Sequence, residues 1–134
     1  MNVYRSHFKD INFDPETKLI EVIWSPESAD LDEESYKNDL LAYRKAALEN
    51  RPTYVLGDMR EMRYVVSPEL QDWVNEEILP AVFGMGTIER VAFVVSADLI
   101  AQLATEQIME ESTGANFNSR YFETREEAIA WLLQ

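Results

Sequence analysis

Seven consecutive residues constrain this chain more than any others: Arg90-Val91-Ala92-Phe93-Val94-Val95-Ser96. The run is nearly continuous in apolar side chains and shows no alternation. A strand covered on both faces reads this way, because neither face needs polar residues for water. Such a strand requires a layer above and a layer below it. The end of the chain supplies one cover. Arg120-Tyr121-Phe122 reads as a short strand, and Thr124 and Glu127 have the spacing of a capping box at the start of a helix. Ala128, Trp131 and Leu132 then follow at i, i+3 and i+4, on one buried face.

The rest of the chain alternates in the same manner. Residues 3–13 look extended, 14–17 (Asp-Pro-Glu-Thr) carry turn chemistry, and 19–24 form a strand rich in β-branched residues. Together they predict an N-terminal hairpin whose second strand has an apolar Ile20/Val22/Trp24 face and a mixed opposite face. Asp32, Glu33 and Glu34 open a helix with Tyr36, Leu40, Tyr43 and Ala47 on its inner face, and Asn50-Arg51-Pro52 stops it. Residues 54–58 form a short strand, and 59–66 connect it to the next helix. Ser67-Pro68-Glu69 starts that helix, Leu70, Val74 and Ile78 form its stripe, and Pro80 ends or kinks it. After the strand at 90–96, a helix carrying Ile100, Leu103, Ala104 and Ile108, then a strand near 117–123 and the closing helix complete the order β-β-α-β-α-β-α-β-α. The expected fold class is α/β: a mixed, largely parallel sheet of about five strands with four helices in a single domain, residues 1–134.

Composition narrows the chemistry. The 134 residues contain no cysteine, which excludes disulfides, thiolate nucleophiles and thiolate metal sites. His7 is the sole histidine, so a zinc centre is not expected. The formal net charge of −13 repels nucleic acid and anionic lipid surfaces. No apolar run has the length to span a bilayer, and the first residues lack the apolar core of a signal peptide, so the expectation is a cytoplasmic protein. No motif demands a cofactor.

The candidate site residues lie at strand ends. Asp58 and Arg60 leave the carboxyl end of a predicted parallel strand, where open α/β sheets place ligands. Asp58 could orient a hydroxyl or cation, and Arg60 could hold a carboxylate in bidentate fashion. The structural alternative pairs Asp58 with Arg60 or Arg63 as a loop-end ion pair. Ser96 and Asp98 leave the next strand toward the same crevice, although capping the following helix is the commoner role. Met59, Met62, Tyr64, Trp73, Phe83 and Met85 could line an apolar cleft or form a looser part of the core. His7, as a neutral-pH base beside Asp58 and Arg60, would make an enzyme. Gly84-Met85-Gly86 is no phosphate loop, and the acids at 30–34 lack calcium-loop spacing.

In element order the chain resembles the STAS-like domains, the anti-sigma-factor-antagonist fold, and especially the small SpoIIAA-like bacterial proteins. The residues that carry the resemblance are the strand at 90–96, the helix with Ile100 to Ile108, and the ending Arg120-Tyr121-Phe122 followed by Glu126-Glu127-Ala128-Ile129-Ala130-Trp131-Leu132. The resemblance implies a non-catalytic regulatory module that binds a protein partner or, in some relatives, an apolar or lipid-like ligand. Classical members carry a phosphorylatable serine in an Asp-Ser-Ser/Thr-Gly-like turn before a helix. Ser67 is the nearest counterpart here, but its flanks differ, so the switch is not carried over and an N-cap is the expected role. The resulting expectation is a binding module working through Asp58, Arg60, Arg63, Tyr64, Ser67, Ser96 and Asp98. Self-association through an edge strand of the hairpin is a further expectation. A small enzyme and a lipid-binding protein are the alternatives.

Overall fold

The computed structural model describes residues 1–64, 66–95 and 118–134. Six strands form one sheet in sequence order: β1 (Asn2–Arg5), β2 (Lys9–Asp14), β3 (Leu19–Trp24), β4 (Tyr54–Asp58), β5 (Arg90–Val94) and β6 (Asn118–Phe122). The pairs β1–β2 and β2–β3 are antiparallel; β3–β4, β4–β5 and β5–β6 are parallel. The α/β class and the mixed, mostly parallel sheet are therefore as expected. Among the described residues the sheet has six strands, one more than the expected figure of about five. The stretch 3–13 is not one strand, because the chain turns at Ser6, whose hydroxyl accepts the Phe8 and Lys9 N–H groups. This splits the segment into β1 and β2, and the hairpin read from the sequence is β2–β3.

The strand pleat sorts the core into two faces. On one face Ile11, Phe13, Ile20, Val22, Trp24, Val55 and Val91 are buried against α1 (Glu33–Asn50), α2 (Pro68–Glu77) and α3 (Leu79–Phe83). On the other face Leu19, Leu56, Ala92 and Val94 are buried against Ala128 and Leu132 of α4 (Arg125–Leu132). β5 contributes to both clusters, as its unbroken apolar run requires.

The helix boundaries have local causes. Asp32 accepts the Ser35 N–H at 2.8 Å and opens α1, which buries Tyr36, Leu40, Tyr43 and Ala47. It closes at Arg51, in the left-handed region at φ 48°, whose N–H bonds the Ala47 carbonyl. Pro80 does not end the second helix but kinks it: α2 stops at Glu77, and α3 restarts at Leu79 with the proline in its first turn, where a missing N–H costs nothing. Thr124 caps α4 by accepting the Glu127 N–H at 3.2 Å. The other half of the expected box differs, because the Glu127 carboxylate accepts a hydrogen bond from the Thr124 hydroxyl at 3.0 Å. The expected helix around Ile100 to Ile108 lies outside the described residues.

Candidate functional site

The carboxyl end of β4 delivers Asp58 to the α4 face of the sheet, where only 9% of its side chain is exposed. A buried carboxylate needs donors, and a residue two places on provides them. Arg60 donates from Nε to Oδ1 at 3.0 Å and from Nη2 to Oδ2 at 2.7 Å, and its backbone N–H also reaches Oδ1. That carboxylate raises the Arg60 pKa above its ordinary value, chiefly through the side-chain hydrogen bonds. The fork is bidentate, so both carboxylate oxygens are engaged.

Beyond Asp58 the connection is held from below by Ser28, a fully buried residue in the short 3-10 turn Pro26–Asp30. Its hydroxyl donates to the Glu61 carbonyl at 3.2 Å and accepts the Arg63 N–H at 2.8 Å. One side chain thereby fixes two points of the loop. Arg63 extends outward and pairs with Glu61 at 3.0 Å in an exposed ion pair. Tyr64 turns inward and meets Tyr36 ring to ring at 5.2 Å in a tilted contact, and Tyr36 in turn stacks on Trp24 at 5.9 Å. Ser67, exposed, accepts the Leu70 N–H at 3.2 Å and is the N-cap of α2.

Asp58, Arg60, Arg63 and Tyr64 therefore share one pinned loop that runs on toward Ser67. Ser96 and Asp98 lie outside the described residues. Met59, Met62, Tyr64, Trp73, Phe83 and Met85 are half-buried and packed against the larger core cluster. His7 occupies the β1–β2 turn, exposed, with its ring edge-on to Phe8 at 5.2 Å. It adjoins β2, two strands across from Asp58, which at ordinary strand spacing is roughly 10 Å. No hydrogen bond or ion pair among the described residues links His7 to Asp58 or Arg60. Among the described residues, no group of three or more His, Asp or Glu side chains is placed to hold a metal ion, and no helix is long and apolar enough to cross a membrane.

Two features of this region escaped the sequence. Glu21, with 8% of its side chain exposed, faces the same side of the sheet and is held by Arg125, the first residue of α4, at 2.6 and 2.9 Å. The partners are 104 positions apart, so no local pattern announces the pair. Lys9, the first residue of β2, is 2% exposed and points into the opposite, α1-covered face. Its signal was available: Lys9, Ile11 and Phe13 alternate on one side of β2.

Comparison with known proteins bears on this arrangement. A family model described as SpoIIAA-like matches residues 19–133, from the first residue of β3 to the end of α4. Neither a curated protein nor a solved structure matches the chain. The match takes in the parallel strands, the loop after β4 and the closing helix, and leaves β1 and β2 before it. With nearly the whole chain covered by that model, this protein belongs to the SpoIIAA-like family.

Proposed function

We propose that this protein is a non-catalytic binding module, and that the loop from Asp58 through residues 59–64, with Val66 and Ser67, is its working surface, meeting a protein partner. Membership of the family fits a binding or regulatory module in general terms. The observation that carries the reading is the internal fixation of the loop. Asp58 holds Arg60, and Ser28 holds the backbone of Glu61 and Arg63, so the loop presents its outer groups without further ordering cost. Those outer groups are Arg60, Glu61, Arg63 and Ser67. Arginine on a rigid frame suits a partner's carboxylates and backbone carbonyls.

The same geometry weighs against catalysis. Asp58 spends both oxygens on Arg60, and no hydrogen bond joins His7 to it. It also favours a protein over an apolar ligand, because the methionines and aromatics of this region face the core. Self-association through β1 is disfavoured by the strand itself. β1 has four residues, its register slips between Asn2 and Tyr4, and Arg5 is engaged by Asp10, all features that blunt an edge.

A photo-crosslinking residue at position 63 tests the proposal in cells of the native host, with position 45 on the outer side of α1 as the control. The expected result is a discrete protein adduct from position 63 that disappears with Arg60→Glu. Native mass spectrometry of the unmodified protein should show the same partner. Equal adducts from positions 63 and 45, or a co-purifying small molecule with no protein, would overturn it.

A further inference from the structure

Lys9 is the most unusual ionisable group among the described residues. Its ammonium lies 4.6 Å from the centroid of the Trp24 ring and 5.8 Å from that of Tyr43. The six ion pairs of the described residues use Arg5, Lys37, Lys45, Arg60, Arg63 and Arg125, and Lys9 belongs to none of them. The nearby carboxylate, Asp39 of α1, is 2% exposed and turned to other donors. It accepts the Tyr4 hydroxyl at 2.6 Å and the Ser6 hydroxyl at 3.3 Å. Tyr4, Ser6 and Lys9 all belong to β1, its turn or the start of β2. A part-buried cluster, with Lys9 and Asp39 at its buried end, therefore clasps this hairpin to α1, and the hairpin precedes the family-matching residues 19–133.

We propose that the Lys9–Asp39–Tyr4 cluster is a proton-sensitive clasp, and that protonation of Lys9 loosens the β1–β2 hairpin from the rest of the sheet. The groups facing Lys9 set the direction. Asp39 of α1 favours the ammonium, Trp24 of β3 and Tyr43 of α1 attract it weakly through their rings, and burial opposes it. Burial wins, lowering the Lys9 pKa to about 7 against the partial compensation of Asp39. The Tyr43 and Tyr4 hydroxyls are both raised by burial, Tyr4 to about 12 with help from Asp39, so neither titrates near neutrality.

In an undocked hairpin Lys9 meets water and keeps an ordinary lysine pKa, near 10.5. Between the two values the undocked form binds more protons. Docking therefore strengthens as pH rises from about 7 to about 10.5 and is weakest at and below neutrality. One proton changes an opening equilibrium by at most about tenfold per pH unit. Opening would uncover the outer edge of β3, an apolar strand that β2 otherwise pairs along its full length. An uncovered edge of that kind accepts another strand.

Two measurements on the full chain test the clasp. The Lys9 Cε resonance, followed by NMR against pH, should titrate with a midpoint near 7. A midpoint in the ordinary lysine range would overturn the proposal. Amide-exchange protection, corrected for intrinsic rates, should rise several-fold per pH unit for β2 between pH 7 and 9 while β5 stays level. In Lys9→Met the β2 rise should vanish. If β2 and β5 rise together, the effect is global and the hairpin is no separate device. The wild-type comparison of β2 with β5 decides this even where Lys9→Met fails to fold.

Discussion

The two faces of the sheet bury charge by opposite means. On the α4 face, Glu21 and Asp58 are sunk in the surface, but each is met by an arginine whose own side chain remains 45% exposed. The guanidinium reaches the carboxylate while staying hydrated, so the pair forms without desolvating both ions. On the α1 face, Lys9 and Asp39 are each only 2% exposed and are not paired with one another. A cation this deeply buried, with the nearby carboxylate turned to other donors, has its pKa lowered by desolvation. Burying charge is thus not one energetic event. Its sign depends on whether a partner can stand at the boundary.

The comparison predicts substitutions of opposite sign. Arg125→Ala should lose about 3 kcal/mol, at the lower end for a broken buried pair because Arg125 is partly exposed. It strands the Glu21 carboxylate and removes a tie between β3 and α4. Urea denaturation reads the loss, and Glu21→Gln in the same background should recover part of it. No loss would mean that Glu21 is adequately hydrated and that the α4 face is an ordinary surface. On the other face, Lys9→Met should gain about 2 kcal/mol at pH 7, after forfeiting the cation–π contact with Trp24. The gain should shrink as pH rises toward 10, because the folded wild-type lysine is then neutral while the unfolded one, with a pKa near 10.5, has begun to lose its proton as well. A loss at pH 7 would put Lys9 in the same class as the arginines and erase the distinction.

Legibility in the sequence followed the range of the interaction. The Ile20/Val22/Trp24 face, the stripe of α1 and the run at 90–96 were readable, because burial imposes a short period on residues close together. The Asp58–Arg60 pair was readable as a structural alternative for the same reason, with its partners two positions apart. Lys9 was hidden by the treatment of 3–13 as one extended stretch. An unbroken strand would set the polar Arg5 and His7 on the same face as Lys9, Ile11 and Phe13, whereas the Ser6 turn ends that face and leaves only the last three in step along β2. Ser28 gave no signal, since a serine in a polar loop is ordinary until a second loop is laid over it. Glu21 looked like one polar residue on a mixed face. Its meaning depended on Arg125, which only the closed sheet brings near.

The smallest effect concerns how firmly each face is covered. Among the described residues, the α1 face carries a helix of eighteen residues together with α2 and α3, whereas the other face has α4, of eight. A short helix depends more on its ends, because most of its backbone groups lie within a turn of a terminus. Three devices hold α4: the Thr124 cap, the Glu21–Arg125 pair, and Arg90, which donates to the Trp131 and Leu132 carbonyls at 2.8 and 3.3 Å. Thr124→Ala should therefore cost about 1 kcal/mol, read as a lowered thermal midpoint, with amide exchange accelerating in α4 before it does in α1. Asp32→Ala, which removes the matching cap from α1, should leave exchange in the middle of that helix unchanged. If α1 and α4 respond alike, the whole sheet opens as one unit, and the arginine pairs of the α4 face stabilise the global fold rather than a separately fragile layer.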